Sequence, residues 1–325
     1  MPENEIQDEQ GKRGSTWERD LLNRLSFASL AEQQRARRWN IFFKLVLFSY
    51  LFLLLFLAFR GPDLGDARLK GGEHTAMVEV NGMISDASKA NADIIVKGLR
   101  NAFENKNTKG VVLRINSPGG SPVQSDYVYR EIRRLRSLHP DIPVHAVIVD
   151  VGASGAYYIS SAADNIYVNP ASIVGSIGVL MNGFGFVGTM EKLGVERRLL
   201  TAGESKGMLD PFEPLKKEDV SHITQLLGQI HQQFIDAVKE GRGERLKDDP
   251  AIFSGKFWTG QEGITLGLVD EIGDVDYVAR EVIGAGNVVD FTPKPDFFKR
   301  FADRLGASMA NVLSERIGIG ANTLR

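Results

Sequence analysis

The chain has 325 residues, of which 43% are hydrophobic and 25% are charged, a composition typical of globular proteins with one large or two smaller domains. The formal net charge of -2, without a basic stripe carrying interleaved aromatic residues, argues against nucleic acid as a partner. The chain has no cysteine, which excludes thiol nucleophiles, disulfides and thiolate metal sites and leaves hydroxyl groups as the obvious nucleophiles.

The N-terminal part contains one long apolar run, IFFKLVLFSYLFLLLFLAF at residues 41–59. As a helix this run is long enough to cross a bilayer of about 30 Å, with Trp39 at the interface and Lys44 reaching the headgroups. A cleaved signal sequence is the alternative, although the run is long for a signal peptide and lies far from residue 1. The sequence therefore predicts a transmembrane helix over residues 41–59, a tail over residues 1–40 and a linker over residues 60–74.

Positive charge is distributed unevenly around this predicted span. Arg35, Arg37 and Arg38 precede it, whereas Arg60 is followed by the sequence GPDLGD. The positive-inside rule then places the N-terminus in the cytoplasm and the rest of the chain outside. In a bacterial inner membrane the outside is the periplasm, where a chain without cysteine cannot mispair. We therefore expect a single-pass inner-membrane protein whose main domain, residues 75–290, is periplasmic.

Strands and helices alternate through the first half of that domain. The apolar patterns predict strands over residues 75–80, 110–115, 144–149 and 165–168, and helices over residues 93–104, 123–138 and 155–163. Such alternation is typical of an α/β fold with right-handed crossovers and a largely parallel sheet. Sites in these sheets gather at the carboxyl ends of the strands. Glycine turns at residues 116–120 and 152–155 both follow strands and can face one another.

The second half of the domain is less regular. The patterns predict a strand over residues 196–201, a loop over residues 202–207, a long amphipathic helix over residues 215–239 and a last helix over residues 276–282. Apolar residues recur at helical spacing near the end of the chain, which predicts a helical C-terminal extension over residues 291–325.

The segment GFGFVG at residues 183–188 fits the G-x-G-x-x-G pattern of dinucleotide sites. Such a site also needs a well-formed strand before the glycines and an acidic residue near the end of a second strand. Neither feature is convincing here, so nucleotide binding is a minor alternative.

Ser154 lies where an apolar strand passes through the small-residue turn GASGA into an apolar helix. A serine at such a junction can lie at a helix N-terminus, where unpaired N–H groups and the helix dipole stabilise a developing oxyanion. Serine is also a preferred N-cap, so a purely structural role is an alternative. The sequence therefore makes Ser154 the candidate nucleophile and leaves the capping role open.

A serine nucleophile needs a base. The histidines are predicted to lie in a strand, in loops or on the polar side of the long helix: His145, His139, His74, His222 and His231. A Ser-His-Asp triad is therefore a minor alternative. A lysine can serve when burial favours its neutral amine, and Lys206 lies in a small-residue loop after a predicted strand. The alternative for Lys206 is an ordinary solvated lysine.

Four motifs together resemble one protein family. They are NSPGG at residues 116–120, ASGAYY at residues 153–158, GSIGV at residues 175–179 and GLVDEIG at residues 267–273. Their order and spacing, with the single N-terminal apolar run, are similar to signal peptide peptidase A, also called protease IV, in its short bacterial form. The resemblance implies a crotonase-like fold shared with the Clp protease, built from spiral ββα units. It also implies a Ser-Lys dyad and the degradation of signal peptides left in the membrane.

Carried over to this chain, the resemblance makes Ser154 the nucleophile, Lys206 the general base and Ser176 the residue that positions the lysine. The backbone N–H groups of Gly120 and Gly155 would form the oxyanion hole. The resemblance implies no metal and no organic cofactor. It implies partners of three kinds, namely signal peptides or other apolar peptides, the inner membrane, and further copies of the chain.

The copies would form a closed homo-oligomeric ring, an octamer, in which Ser154 of one subunit meets Lys206 of its neighbour. Two alternatives stay open at this point. One is a related membrane-anchored serine protease that processes other membrane proteins, and the other is an inactive scaffold of crotonase-like fold.

Overall fold

The structure is a computed structural model, and it describes residues 34–53 and 72–293. The chain divides into two units between residues 71 and 72. In the first unit, residues 34–53 form helix α1, which contains the beginning of the predicted span. Residues 54–59 of that span lie outside the described residues. So do residues 1–33 of the predicted tail, residues 60–71 of the predicted linker and residues 294–325. Among the helices that are described, none has both the length and the apolar character needed to cross a membrane.

The second unit alternates strands and helices along the chain. Its elements are β1 (His74–Asn81), α2 (Ala92–Glu104), β2 (Thr108–Ser117), α3 (Pro122–Leu138), β3 (Val144–Ala153), α4 (Gly155–Ser160), β4 (Asn165–Val168), β5 (Ile173–Gly175), α5 (Val187–Leu193), α6 (Lys217–Arg242), β6 (Phe257–Thr259), α7 (Gly260–Leu266), β7 (Glu271–Ile272), α8 (Val275–Tyr277) and β8 (Val288–Asp290). Helix α8 continues into a π-helical turn, Val278–Val282.

The described strands form one sheet of eight strands. Its main path runs β6-β5-β3-β2-β1-β8, and β4 lies beside the first part of β3 with β7 on its other side. The pairs are parallel except β5 with β6, which is antiparallel. The α/β prediction is therefore confirmed, and this mixed sheet fits the crotonase-like fold that the resemblance implied.

The main core lies on the face of the sheet that is covered by α2, α3 and α4. Successive strand side chains point to opposite faces, so Val111, Leu113 and Ile115 of β2 enter this core and are fully buried. On the other face, Val112 packs in a smaller cluster with Val278, which belongs to the turn after α8. Because both faces are covered, the central strands are continuously apolar in sequence.

A buried ion pair fixes the GLVDEIG motif to the end of α6. Arg242 is fully buried, and its guanidinium donates to both carboxylate oxygens of Asp270, at 2.8 and 2.9 Å. Asp270 also accepts a hydrogen bond of 2.7 Å from the N–H of Ile166 in β4. Burial alone would raise the pKa of Asp270, but the hydrogen bonds and positive charge of Arg242 lower it overall. The acidic residue of this motif therefore holds the sheet and helix together.

The linker prediction needs a correction at its end. His74 begins β1 and is fully buried, with its Nε2 3.4 Å from the hydroxyl of Thr108 and its ring stacked on Phe291. The misassignment arose because a histidine next to glycines looks like loop sequence, whereas here hydroxyl and aromatic partners allow its burial. The folded unit likewise extends beyond residue 290, since Phe291 N–H donates to the carbonyl of Met77.

Candidate active site

Ser154 lies between β3 and α4 in an unusual backbone conformation, with φ 53° and ψ -126°. Such a conformation costs a residue with a side chain on the order of 1–3 kcal/mol, and it persists where the surrounding structure holds it. The N–H of Ser154 donates to the carbonyl of Gly175 at 2.8 Å, while its side chain makes no capping hydrogen bond. Ser154 is half-buried at the carboxyl end of β3, and because the capping bond is missing, the structure does not support a role as a simple helix cap.

Ser176 shares this geometry on the neighbouring strand. Ala153 of β3 is the register partner of Gly175 of β5, so Ser154 and Ser176 each follow one member of that pair. Neighbouring strands lie about 4.8 Å apart, which places the two serines side by side. Ser176 has φ 54°, and its N–H donates to the carbonyl of Lys256 at 2.7 Å. Both strained serines lie at the carboxyl ends of neighbouring strands, which makes this end of the sheet the candidate active site.

The glycine turn after β2 packs directly against Ser154. A Cβ at Gly119 would stand 2.6 Å from the nitrogen of Gly155 and 2.7 Å from the Cβ of Ser154, so a side chain would separate the two segments. The carbonyl of Gly119 accepts a 2.8 Å hydrogen bond from Ile84 N–H. In a trans peptide the C=O and N–H groups point in opposite directions, so the N–H of Gly120 points away from Ile84.

Two backbone donors converge beside Ser154 as a result. Gly155 is the first residue of α4, where N–H groups have no acceptor within the helix. The nitrogen of Gly120 lies 3.3 Å from the point where a Cβ of Gly155 would stand. Within residues 72–293 neither of these N–H groups donates a hydrogen bond to another part of the chain. Two unpaired N–H groups next to a serine hydroxyl are the arrangement that stabilises a tetrahedral oxyanion.

Two tyrosines hold α4 behind the serine. The buried hydroxyl of Tyr157 donates to the carbonyl of Leu268 at 2.6 Å, and that of Tyr158 donates to Asp126 at 3.1 Å. Burial raises the pKa of both phenols, so they stay protonated donors. Tyr158 also stacks on Phe234 of α6. The ASGAYY motif thus combines a reactive serine with two side chains that fix its helix.

Lys206 makes no hydrogen bond to Ser154 among the described residues of the chain. It is exposed, and in the described part of the molecule its side chain makes no hydrogen bond or ion pair. It belongs to a segment of residues 179–215, here called the arm, whose described hydrogen bonds all join two residues of the arm. One of these joins Phe186 N–H to the carbonyl of Pro211 at 2.7 Å. The structure therefore groups Ser154, Ser176, Gly120 and Gly155 and leaves Lys206 on the arm.

The strand predicted over residues 196–201 is wrong. These residues lie in the arm without regular secondary structure, and Leu200 is 96% exposed. Their apolar residues suggested burial in a sheet, but none of the described strands pairs with them, and a strand needs a partner.

The histidines also lie differently from the prediction in one case. His145 is in β3 as expected, but it lies at the beginning of the strand whereas Ser154 follows its last residue, so the imidazole is too far away to act as the base. His231 does not face solvent: it is half-buried, and its Nε2 lies 3.1 Å from the carbonyl of Ile177. Since no described histidine bonds to Ser154, the structure gives the Ser-His-Asp alternative no support.

The burial of His145 predicts a pH-dependent stability. Burial, and then the positive charge of Arg136, lower the pKa of His145 from 6.5 to about 4. Between these two pH values the unfolded chain binds a proton at His145 that the folded chain does not. The contribution of the neutral His145 to the free energy of unfolding is therefore complete above about pH 6.5 and is lost toward pH 4. We expect the free energy of unfolding to fall by up to about 3 kcal/mol across this range.

Urea unfolding of the full chain at pH 7.5 and pH 5 measures this effect. The variant His145→Gln should lose most of the difference between the two pH values, whereas His222→Gln, which changes an exposed histidine, should keep it. An equal dependence in His145→Gln and the unmutated protein would contradict the assignment.

Sequence reasoning did not indicate two further residues next to the site. Trp258 packs on Gly175, and its buried indole N–H has no acceptor among the described residues. Ser125 of α3 is fully buried against Gly155. Neither residue lies within the motifs that carry the resemblance, and their proximity depends on the β5–β6 pairing and on the packing of α3. The one weak signal in the sequence is that Ser125 follows Ser121 by four residues, a spacing at which a serine hydroxyl can bond the earlier carbonyl if both lie on one helix.

The comparisons with known proteins agree with this geometry. Residues 136–288 match the family described as peptidase family S49. A putative protease of Synechocystis is 32% identical over 198 residues, which are 61% of this chain and 69% of that protein. A putative signal peptide peptidase SppA of Enterococcus faecium is 31% identical over 204 residues, 60% of this chain and 59% of that protein.

A further relative carries a different name. The Na(+)/H(+) antiporter NhaA of Brucella melitensis is 45% identical over 217 residues, 67% of this chain but 28% of that protein. The chain thus spans less than a third of the antiporter's length and 59% of the Enterococcus protein. Most of that protein lies outside the matched region, so its name gives no reason to assign ion transport to this chain.

Proposed function

The chain belongs to peptidase family S49, and we propose that it is a serine endopeptidase with Ser154 as nucleophile and Lys206 as general base. The observation that carries the proposal is the strained Ser154 at the end of β3, with the unpaired N–H groups of Gly120 and Gly155 beside it. An inactive scaffold would have no need for a strained serine next to two unsatisfied donors.

The proposed reaction uses these groups in order. The neutral amine of Lys206 takes the proton of Ser154 as the serine oxygen attacks the peptide carbonyl. The N–H groups of Gly120 and Gly155 bind the oxyanion, and the lysine then gives its proton to the leaving amine. A water molecule attacks the resulting ester and restores the serine. Ser176, side by side with Ser154, would orient the lysine.

We propose that the substrates are signal peptides that remain in the membrane after cleavage. The Enterococcus relative is named a putative signal peptide peptidase, which supports this substrate class. A spent signal peptide offers an apolar core and small residues near its cleaved end. The alternative, cleavage of other membrane proteins, uses the same site and differs only in substrate.

Membrane anchoring is part of the same proposal. The apolar run of residues 41–59 and the preceding Arg35, Arg37 and Arg38 support a single span with the N-terminus in the cytoplasm. The peptidase unit would then lie on the periplasmic side of a bacterial inner membrane, close to its substrates.

We further propose that the active site is completed by a second copy of the chain in a ring. The arm that carries Lys206 exposes large apolar side chains, including Leu180, Phe184, Leu193 and Leu200, of which Phe184 is 83% exposed. The first half of α6 also exposes the apolar residues Val220 and Leu226. Apolar surface on this scale favours a protein partner. Because Lys206 does not bond to Ser154 of its own chain, docking of the arm on a neighbour would supply the base.

The full chain in detergent micelles provides the test, with a synthetic signal peptide and a polar peptide of equal length as substrates. We expect cleavage within the apolar core of the signal peptide and much slower cleavage of the polar peptide. A fluorophosphonate should label the native protein at Ser154. Failure of both cleavage and labelling would favour the scaffold, whereas labelling with cleavage of other membrane proteins alone would favour the second substrate class.

A further inference from the structure

Ser125 is a fully buried serine on the second turn of α3, outside the residues to which the reaction assigns a role. Its hydroxyl donates to the carbonyl of Ser121 at 2.9 Å, and its N–H donates to the same carbonyl at 3.1 Å. Ser121 directly follows Gly120. The hydroxyl therefore adds a second restraint to the end of the turn that presents one oxyanion donor.

The same hydroxyl also contacts the other donor segment. Ser125 Oγ lies 2.4 Å from the point where a Cβ of Gly155 would stand, and Gly120 nitrogen lies 3.3 Å from that point. The Ser125 oxygen thus fills the space beneath Gly155 and borders both segments of the oxyanion hole. A residue with a longer side chain would push them apart, and one without the oxygen would leave a gap.

The opposite side of the turn is held by backbone bonds to Ile84. Ile84 N–H donates to the carbonyl of Gly119, and Ile84 carbonyl accepts from Ser121 N–H, both at 2.8 Å. These bonds fix the turn against Ile84 but do not set its distance from Gly155. Ser125 contacts both Ser121 and Gly155 through its hydroxyl.

We propose that Ser125 is a positioning residue that sets the separation of the two oxyanion donors, an inference that rests on the proposed peptidase function. Oxyanion donors act at the transition state and are effective within a narrow range of distances. Loss of the Ser125 hydroxyl should therefore lower the rate of the chemical step without weakening substrate binding.

The test compares Ser125→Ala with Ser160→Ala in the full chain. Ser160 is a matched control because it is also fully buried and also donates to the carbonyl four residues before it, that of Ala156. We expect Ser125→Ala to lower kcat about tenfold with KM unchanged, and to weaken inhibition by a peptide aldehyde by a similar factor. Ser160→Ala should leave kcat and aldehyde inhibition unchanged. Equal kinetics in the two variants would overturn the inference.

A second pair of variants tests the contact without relying on turnover. Gly155→Ala should lower Tm by about 5 °C, because its Cβ would meet Ser125 Oγ. The double variant Ser125→Ala/Gly155→Ala should recover part of that loss, since the Cβ of Ser125 lies at an ordinary 3.5 Å. No recovery would show that the hydroxyl does not set this spacing.

The two proposals fail in different ways. If Ser154→Ala cleaves peptides as fast as the unmutated protein, the assignment of Ser154 as nucleophile fails whatever Ser125 does. If cleavage requires Ser154 but does not respond to Ser125→Ala, only the positioning role fails.

Discussion

Replacement of Ser154 by alanine is expected to remove nearly all peptide cleavage, and Lys206→Ala is expected to do the same. The two residues act as a unit, since the serine attacks only as its proton is taken, so the losses should not add in the double variant. Residual turnover from the oxyanion donors and substrate binding should be several orders of magnitude below the native rate. The measurement is kcat/KM for a fluorogenic signal peptide.

Matched controls separate chemistry from folding in this experiment. Lys192→Ala removes an exposed lysine from the same arm and should keep full activity, while Ser160→Ala controls for loss of a buried hydroxyl. Ser176→Ala should cost about tenfold to a thousandfold, because it disturbs placement of the base without removing it. Each variant should keep the Tm and oligomeric state of the native protein. Substantial turnover in pure Ser154→Ala or Lys206→Ala would rule out the dyad.

The sequence predicted the part of the site that is local in the chain. Ser154 was identifiable because an apolar strand, a small-residue turn and an apolar helix follow one another within residues 144–160, and the structure has this order. The turn at Gly119 and Gly120 was likewise expected to face it, because parallel strands end at one edge. The alternation of strands and helices also predicted the α/β class, because each type of element has its own period of apolar residues along the sequence.

Features set by packing between distant segments were not predictable in this way. Leu200 and its neighbours have an apolar pattern that favours a strand, but in the single chain they lie exposed on the arm. His231 was predicted to face solvent, but in the structure its ring lies against the carbonyl of Ile177. Ser125 became relevant only once the packing of α3 against Gly155 was known. In each case the deciding contact joins residues whose pairing no local pattern encodes.

Because Lys206 lies on the arm, we expect activity to be recovered in oligomers that mix two inactive variants. Purified Ser154→Ala retains an intact Lys206, and purified Lys206→Ala retains an intact Ser154. If the base comes from a neighbouring subunit, a ring that contains both variants brings intact partners together at some interfaces. With equal amounts and random mixing, about a quarter of head-to-tail junctions would pair an intact serine with an intact lysine. We therefore expect activity to return to about a quarter of the native value per subunit.

Co-expression of the two variants with different affinity tags, followed by tandem purification, supplies mixed rings for this measurement. Native mass spectrometry establishes that both variants are present in one oligomer. Rings that combine Ser154→Ala with the double variant Ser154→Ala/Lys206→Ala should stay inactive, because no intact serine is present. Mixed rings of the two single variants that also stay inactive would show that each dyad forms within one chain. The arm would then have to fold back onto its own Ser154, and its exposed apolar residues would need another partner.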